Sequence, residues 1–168
     1  GNYVGAISQW IKTQNSNDQS FYMIADLHAV TTPQEPHLLR RNRIGAMAGL
    51  LACGLDPNKV VLFFQSSVPE HTELSWLLSS LSSVGELRRM TQFKSKSSNN
   101  QEGASMALFG YPVLQAADIL IYQANYVPVG EDQLQHIELT RNIANRFNVK
   151  FGKTFTLPEA IVPKVGAR

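Results

Sequence analysis

Two hydrophobic rhythms take turns along the chain, one recurring every three to four residues and one made of short unbroken apolar runs. Val4, Ile7, Trp10 and Ile11 follow the first rhythm and predict a helix from Asn2, closed by the polar break KTQNSNDQS. FYMIAD, Phe21 to Asp26, follows the second, as a strand covered on both faces does. It delivers Asp26 and His28 to a strand's carboxyl end, ahead of the turn-rich TTPQEP. Leu39, Ile44, Met47, Leu50 and Leu51 then predict a helix over Leu38 to Gly54, with the glycine as terminator. VVLFFQ, Val60 to Gln65, is the second buried strand.

Beyond Pro69 the spacing predicts a helix with Leu74, Leu77, Leu78 and Leu81 inward, and a shorter one around Glu86 to Met90. Thr91 to Ser105 is polar and aperiodic, which predicts a surface loop. Helices are expected from about Gly103 to Phe109 and from Tyr111 to Tyr122, then a strand-like YVPVG and a long helix from Asp132 to Phe147. The proline- and glycine-bearing end reads as loop with a short extended piece. Helices alternating with buried strands predict an α/β protein with a parallel sheet, in one domain.

Composition narrows the class without choosing a function. A chain of 168 residues that is 43% apolar and 17% charged can bury one real core. Its formal net charge of +2 permits anionic ligands but does not demand a polyanion. The single cysteine, Cys53, excludes an intrachain disulfide framework and any multi-cysteine metal site; it reads as a core thiol in a reducing compartment. No window reaches the roughly 18 apolar residues of a membrane span, and the start lacks a signal peptide's layout.

One residue resists this bland picture: Asp118 sits within the apolar run YPVLQAADILIY. On a helix, Tyr111, Gln115, Asp118 and Tyr122 share one face at spacings of four, three and four, while Val113, Ala117 and Leu120 lie on another. The aspartate therefore belongs to a polar stripe. It is either a structural carboxylate paired with an arginine or serine, or a ligand carboxylate at the floor of an aromatic-lined pocket. VPVGEDQ then reads as a strand, a glycine turn and a helix start, where ribose hydroxyls or small anions are welcome.

GNYVGA, ADLHA, CGLDP, SSVPEHTEL, GELRRMTQFKSKS, YPVLQAADIL, VPVGEDQLQHIEL and PKVGAR, in that order, carry a resemblance over nearly the whole chain. The sequence resembles the catalytic core of tryptophanyl-tRNA synthetases of bacterial or mitochondrial type. That resemblance implies a Rossmann-like parallel sheet with flanking helices, the class I aminoacyl-tRNA synthetase catalytic domain, over residues 1–168. The core would be incomplete at both ends, lacking the strand and turn before Gly1 and the lysine-serine loop and anticodon-binding region after Arg168. FKSKS, with Lys94 and Lys96, is not that loop, because its neighbours match a different stretch of the family.

The resemblance also implies roles. Asp118 matches the acceptor of the indole N–H, Tyr111 and Gln133 match residues holding the α-amino group, and Val127 and Val129 match walls of the indole pocket. His28 matches a polar pocket residue with no acid or base role. Gln115 stands where many bacterial relatives carry methionine, a departure associated with mitochondrial members, which favours a mitochondrial matrix over a cytoplasmic location. Gly1 and Asn2 match the end of the HxGN-like signature, and Gly130, Glu131 and Asp132 match the segment contacting adenosine and ribose. No side chain matches a covalent nucleophile or a metal ligand; Mg²⁺ would arrive with ATP.

The implied reaction is activation of L-tryptophan by ATP and transfer to tRNA(Trp) by a homodimer, with neither membrane nor DNA as partner. The basic start at Arg40, Arg41 and Arg43 reads as a solvated face or a tRNA contact. ELSWLLSSLSS could serve the core or a dimer interface, with the core favoured. The alternatives are a tyrosyl-tRNA synthetase-like enzyme and a non-catalytic amino-acid-binding or dimerisation module.

Overall fold

The computed structural model describes Ile7, Trp10, Ile11, Gln14 and residues 18–91 and 105–162. The chain divides into two compact units, one within residues 1–68 and one formed by Pro69–Val162. The predicted first helix and the predicted loop after Thr91 lie largely outside the described residues.

In the first unit the two predicted strands form and pair in parallel. Strand β1 (Phe21–Ile24) lies beside β2 (Val61–Phe64), with Phe21 opposite Val61 and Ile24 opposite Phe64. Between them run a single-turn helix α1 (Asp26–Ala29) and a long helix α2 (Pro36–Ala52). Pro36 opens α2 where its missing N–H is harmless. The helix stops in a Schellman arrangement: Gly54 N–H donates to Leu51 O, Leu55 N–H donates to Leu50 O, and Gly54 takes φ 106°. Glycine is needed there, because a side chain disfavours that left-handed conformation.

Side chains stitch the carboxyl ends of β1 and β2 together. Buried Asp26 accepts from Ser66 N–H at 2.9 Å and Ser66 Oγ at 2.6 Å, with an Arg43 Nη 3.3 Å away. Fully buried Gln65 accepts from the amides of Leu27 and His28 through its Oε1. Arg43 also lies over the Phe64 ring at 4.2 Å. The structure thus separates Arg43, a tied side chain, from exposed Arg40 and Arg41. Two further expectations change: α2 has no buried residue, and Cys53 is only half-buried at its end.

The second unit is built on helices α3 (Glu70–Ser79), α4 (Val84–Arg89), α5 (Met106–Leu120) and α6 (Leu134–Phe151). Strands β3 (Tyr126–Pro128) and β4 (Glu159–Ile161) pair in parallel, Val127 opposite Ala160. β4 is the extended piece expected near the end. Leu78, Leu87, Met90, Val113, Leu120 and Ile143 lead the core. Ala116, Ala117 and Ala144 are fully buried within it, small enough for helices to approach closely.

Two predictions fail here for identifiable reasons. The break expected between Phe109 and Tyr111 does not occur, and α5 runs unbroken with Pro112 inside it. Ser105 starts the helix by accepting from Leu108 N–H, and Pro112 is itself buried with Val113, so packing offsets its one missing backbone bond. Leu77 is exposed, as is its neighbour Trp76, because the buried stripe of α3 passes through Leu74 and Leu78. The last helix is also displaced from its predicted span, with a 3₁₀ turn at Glu131–Gln133 before α6 and Gly152 ending it at φ 93°.

Candidate functional site

The polar stripe of α5 is real. Val113, Ala117 and Leu120 are buried on the core side, whereas Tyr111, Gln115 and Asp118 are half-buried on the other. Each stripe residue meets a partner from another element of the same unit.

Asp118 meets a histidine of the same unit. Its Oδ1 lies 2.6 Å from Nδ1 of His71, a fully buried residue near the start of α3. The other nitrogen of that imidazole, Nε2, lies 2.8 Å from the Tyr122 hydroxyl. An ionised carboxylate only accepts, so Nδ1 carries a proton and donates to Asp118. Burial pushes the Tyr122 phenol up, and the charges of Asp118 and Glu70 add to the shift, so its O–H remains a donor at neutral pH.

Tyr111, one end of the stripe, places its hydroxyl 2.9 Å from Nε2 of buried His136 on α6. Burial pushes this phenol up as well. Gln115 Nε2 donates to Gln133 Oε1 at 3.4 Å, and Gln133 Nε2 donates to Asp132 Oδ2 at 2.8 Å. The stripe therefore reaches the GEDQ turn through amide side chains. Val127 in β3 and Val129 just after it are half-buried and two residues apart, the period that puts side chains on one face of an extended segment.

The turn itself is exposed at Gly130, Glu131 and Asp132. A Cβ on Gly130 would come within 2.7 Å of Asp132 Oδ1, so the glycine leaves room for that carboxylate to fold back. Asp132 and Glu131 occupy the 3₁₀ turn that runs into α6. Among the described residues no group of three or more His, Cys, Asp or Glu side chains could hold a metal ion, and no helix is long and apolar enough to cross a membrane.

Of the predicted site residues, the structure brings together Tyr111, Gln115, Asp118, Gln133 and Asp132 along α5 and the turn before α6. Val127, Val129, Gly130 and Glu131 belong to the same unit. His28 belongs to the first unit, in α1, where its amide donates to Gln65. Gly1 and Asn2 lie outside the described residues. Sequence reasoning missed His71 and His136. The available signal was position: His71 precedes Leu74 and Leu78 by three and seven residues, and His136 precedes Leu139 and Ile143 likewise, so both sit on buried stripes.

The parallel strand pairs and this polar stripe define the class: the chain belongs to the family of tRNA synthetases class I (W and Y), whose sequence model matches residues 1–166. Within it the similarity is to tryptophan enzymes. The tryptophan–tRNA ligase 2 of Streptomyces avermitilis is 57% identical over 169 residues, covering 100% of this chain and 50% of that protein. The tryptophan–tRNA ligase of Corynebacterium glutamicum is 56% identical, covering 98% of this chain and 48% of that protein. Campylobacter jejuni tryptophanyl-tRNA synthetase, solved with ADP and tryptophan, superposes with a TM-score of 0.93 at 44% identity over 99% of this chain and 52% of that one. The chain spans about half the length of the curated relatives it matches. The fold is accordingly the α/β class I synthetase catalytic domain.

Proposed function

We propose that the chain supplies the amino-acid-activating site of a tryptophan–tRNA ligase. The observation that carries this reading is a carboxylate, Asp118, whose side chain is only 7% exposed, held by a fully buried histidine on a stripe linked to the GEDQ turn through Gln115 and Gln133. Asp118 accepts the indole N–H, Val127 and Val129 wall the ring, Gln115 lies beside it, and Tyr111 and Gln133 hold the α-amino group. His28 keeps the part of polar substrate-binding residue that the family resemblance gives it. Gly1, Asn2, Gly130, Glu131 and Asp132 attend ATP, with Asp132 accepting from the ribose.

In this reaction the tryptophan carboxylate attacks the α-phosphorus of Mg·ATP, the bond to the pyrophosphate oxygen breaks, and tryptophanyl-adenylate forms. The terminal ribose hydroxyl of tRNA(Trp) then attacks the adenylate carbonyl and AMP leaves. The substrate is its own nucleophile, so the protein contributes alignment and electrostatic stabilisation. Mg²⁺ belongs to the nucleotide complex, where phosphate oxygens coordinate it. Exposed Trp76 and Leu77 on α3 support action as a homodimer, the use that burial would have denied them. The single cysteine supports a reducing compartment, cytoplasm or mitochondrial matrix.

The test is amino-acid-dependent ATP–pyrophosphate exchange by the full-length gene product. Exchange with tryptophan, and not with tyrosine or phenylalanine, is expected. Exchange that prefers tyrosine would replace the reading with the tyrosine branch, and none with any aromatic amino acid would leave a binding module.

A further inference from the structure

Burying a histidine is costly unless both ring nitrogens find partners, and His71 has one on each side. The carboxylate of Asp118 fixes the proton on Nδ1, and the ring is thereby set in one orientation. On its far side the Tyr122 hydroxyl meets Nε2. Tyr122 is itself anchored by its successor: Gln123 takes φ 52°, donates through Nε2 to Thr154 O, and accepts through Oε1 from Thr156 N–H. The Gln123 bonds thus fix the backbone beside Tyr122 against the segment before β4, and two directed bonds run from the Tyr122 hydroxyl through His71 to Asp118.

We infer that His71 is a positioning residue for substrate selection: it fixes the rotamer of Asp118 so that the carboxylate presents one lone-pair direction to a ring N–H, with Tyr122 holding the imidazole from behind. The inference rests on the reading of Asp118 as the acceptor of the indole N–H. A carboxylate has roughly four lone-pair sites, so the bond from His71 does not exhaust its capacity to accept. A site built to hydrogen-bond a donor rejects an analogue lacking it only while its acceptor is held in place; an acceptor free to turn toward water loses that discrimination. His71 thus acts on selectivity through Asp118 and does not itself touch the substrate.

The experiment compares kcat/KM for tryptophan and phenylalanine in pyrophosphate exchange by the full-length gene product. His71→Leu is expected to lower the tryptophan-to-phenylalanine ratio by roughly tenfold or more with the KM for ATP unchanged. His71→Asn, whose amide nitrogen lies near the position of Nδ1, is expected to keep the ratio within about threefold. In an Asp118→Asn background His71→Leu should add little further loss, since both changes remove the same directed acceptor. If His71→Leu does not fold, His71→Gln replaces it: its amide sits toward Nε2 and the directed bond to Asp118 Oδ1 is lost, so the ratio should still fall.

An unchanged ratio in a folded His71→Leu or His71→Gln protein overturns the positioning role, and so does a loss that adds fully to that of Asp118→Asn. Asp118→Asn alone separates the two readings. If it leaves the ratio intact, the indole-acceptor assignment fails and the role of His71 falls with it. If it lowers the ratio while the His71 variants do not, the acceptor stands and only the positioning role is lost.

Discussion

Gly130 shows how a single missing atom can shape a site. Its φ of −71° is open to any residue, so conformation does not demand glycine; the space taken by Asp132 does. In Gly130→Ala the new methyl meets Asp132 Oδ1, the end of a side chain that can rotate, and the carboxylate rather than the backbone should move. With Asp132 as the proposed ribose acceptor, the KM for ATP should rise about tenfold, the loss expected for one charged hydrogen bond, while the KM for tryptophan changes little. Steady-state pyrophosphate exchange reads both, and an unchanged ATP KM would remove Asp132 from the nucleotide site. At this scale the residues on the α5 face were legible, because Tyr111, Gln115, Asp118 and Tyr122 keep helical spacing. Their partners were not. His71 and His136 are far away in sequence, and a histidine on a buried stripe reads as any polar residue until the neighbouring helix is in place.

Between elements, the clearest polar tie joins α4 to α6. Arg146 donates through both terminal nitrogens to Glu86, at 2.7 and 2.8 Å, while Glu86 also completes a capping box with Ser83. Burial pushes the Glu86 carboxyl up, but the bonds from Arg146 and Ser83 and the Arg146 charge together outweigh it, and the net shift is downward. A lowered folded-state value means the pair stabilises fully above the ordinary carboxyl range and loses that contribution as pH falls through the folded value. Glu86→Gln should therefore cost roughly 1 kcal/mol near neutrality, modest because Arg146 is partly exposed, with the gap closing in acid. Urea melts of both proteins between pH 7 and pH 3 measure it; a gap that widens on acidification would contradict the sign. The elements were mostly legible from periodicity, with α2, β1 and β2 near their predicted bounds. Pro112 misled because a proline suggests a helix start, and only the buried surroundings of α5 show why the helix continues through it. Leu77 misled because four leucines in eight residues leave the stripe ambiguous until α5 settles which side is inward.

For the molecule as a whole, charge says little and linkage says more. With 15 basic and 13 acidic side chains the chain has no strong general pull on a polyanion, so any tRNA contact depends on local groups such as exposed Arg40 and Arg41. Small-ligand binding, by contrast, must appear in stability, because a ligand that binds only the folded protein stabilises it by about 2.7 kcal/mol at 100 times its Kd. In the full-length gene product, saturating tryptophan should thus raise the melting temperature by several degrees. Phenylalanine at the same concentration offers similar apolar area but no ring N–H, and should shift it far less. Asp118→Asn should bring the two shifts together, even if each remains positive, because the difference between them isolates the hydrogen bond from hydrophobic burial. Equal shifts in the unmodified protein would mean that ring shape alone is read at this site. The directed contacts between α3 and α5 would then serve packing, and selection for tryptophan would have to arise elsewhere.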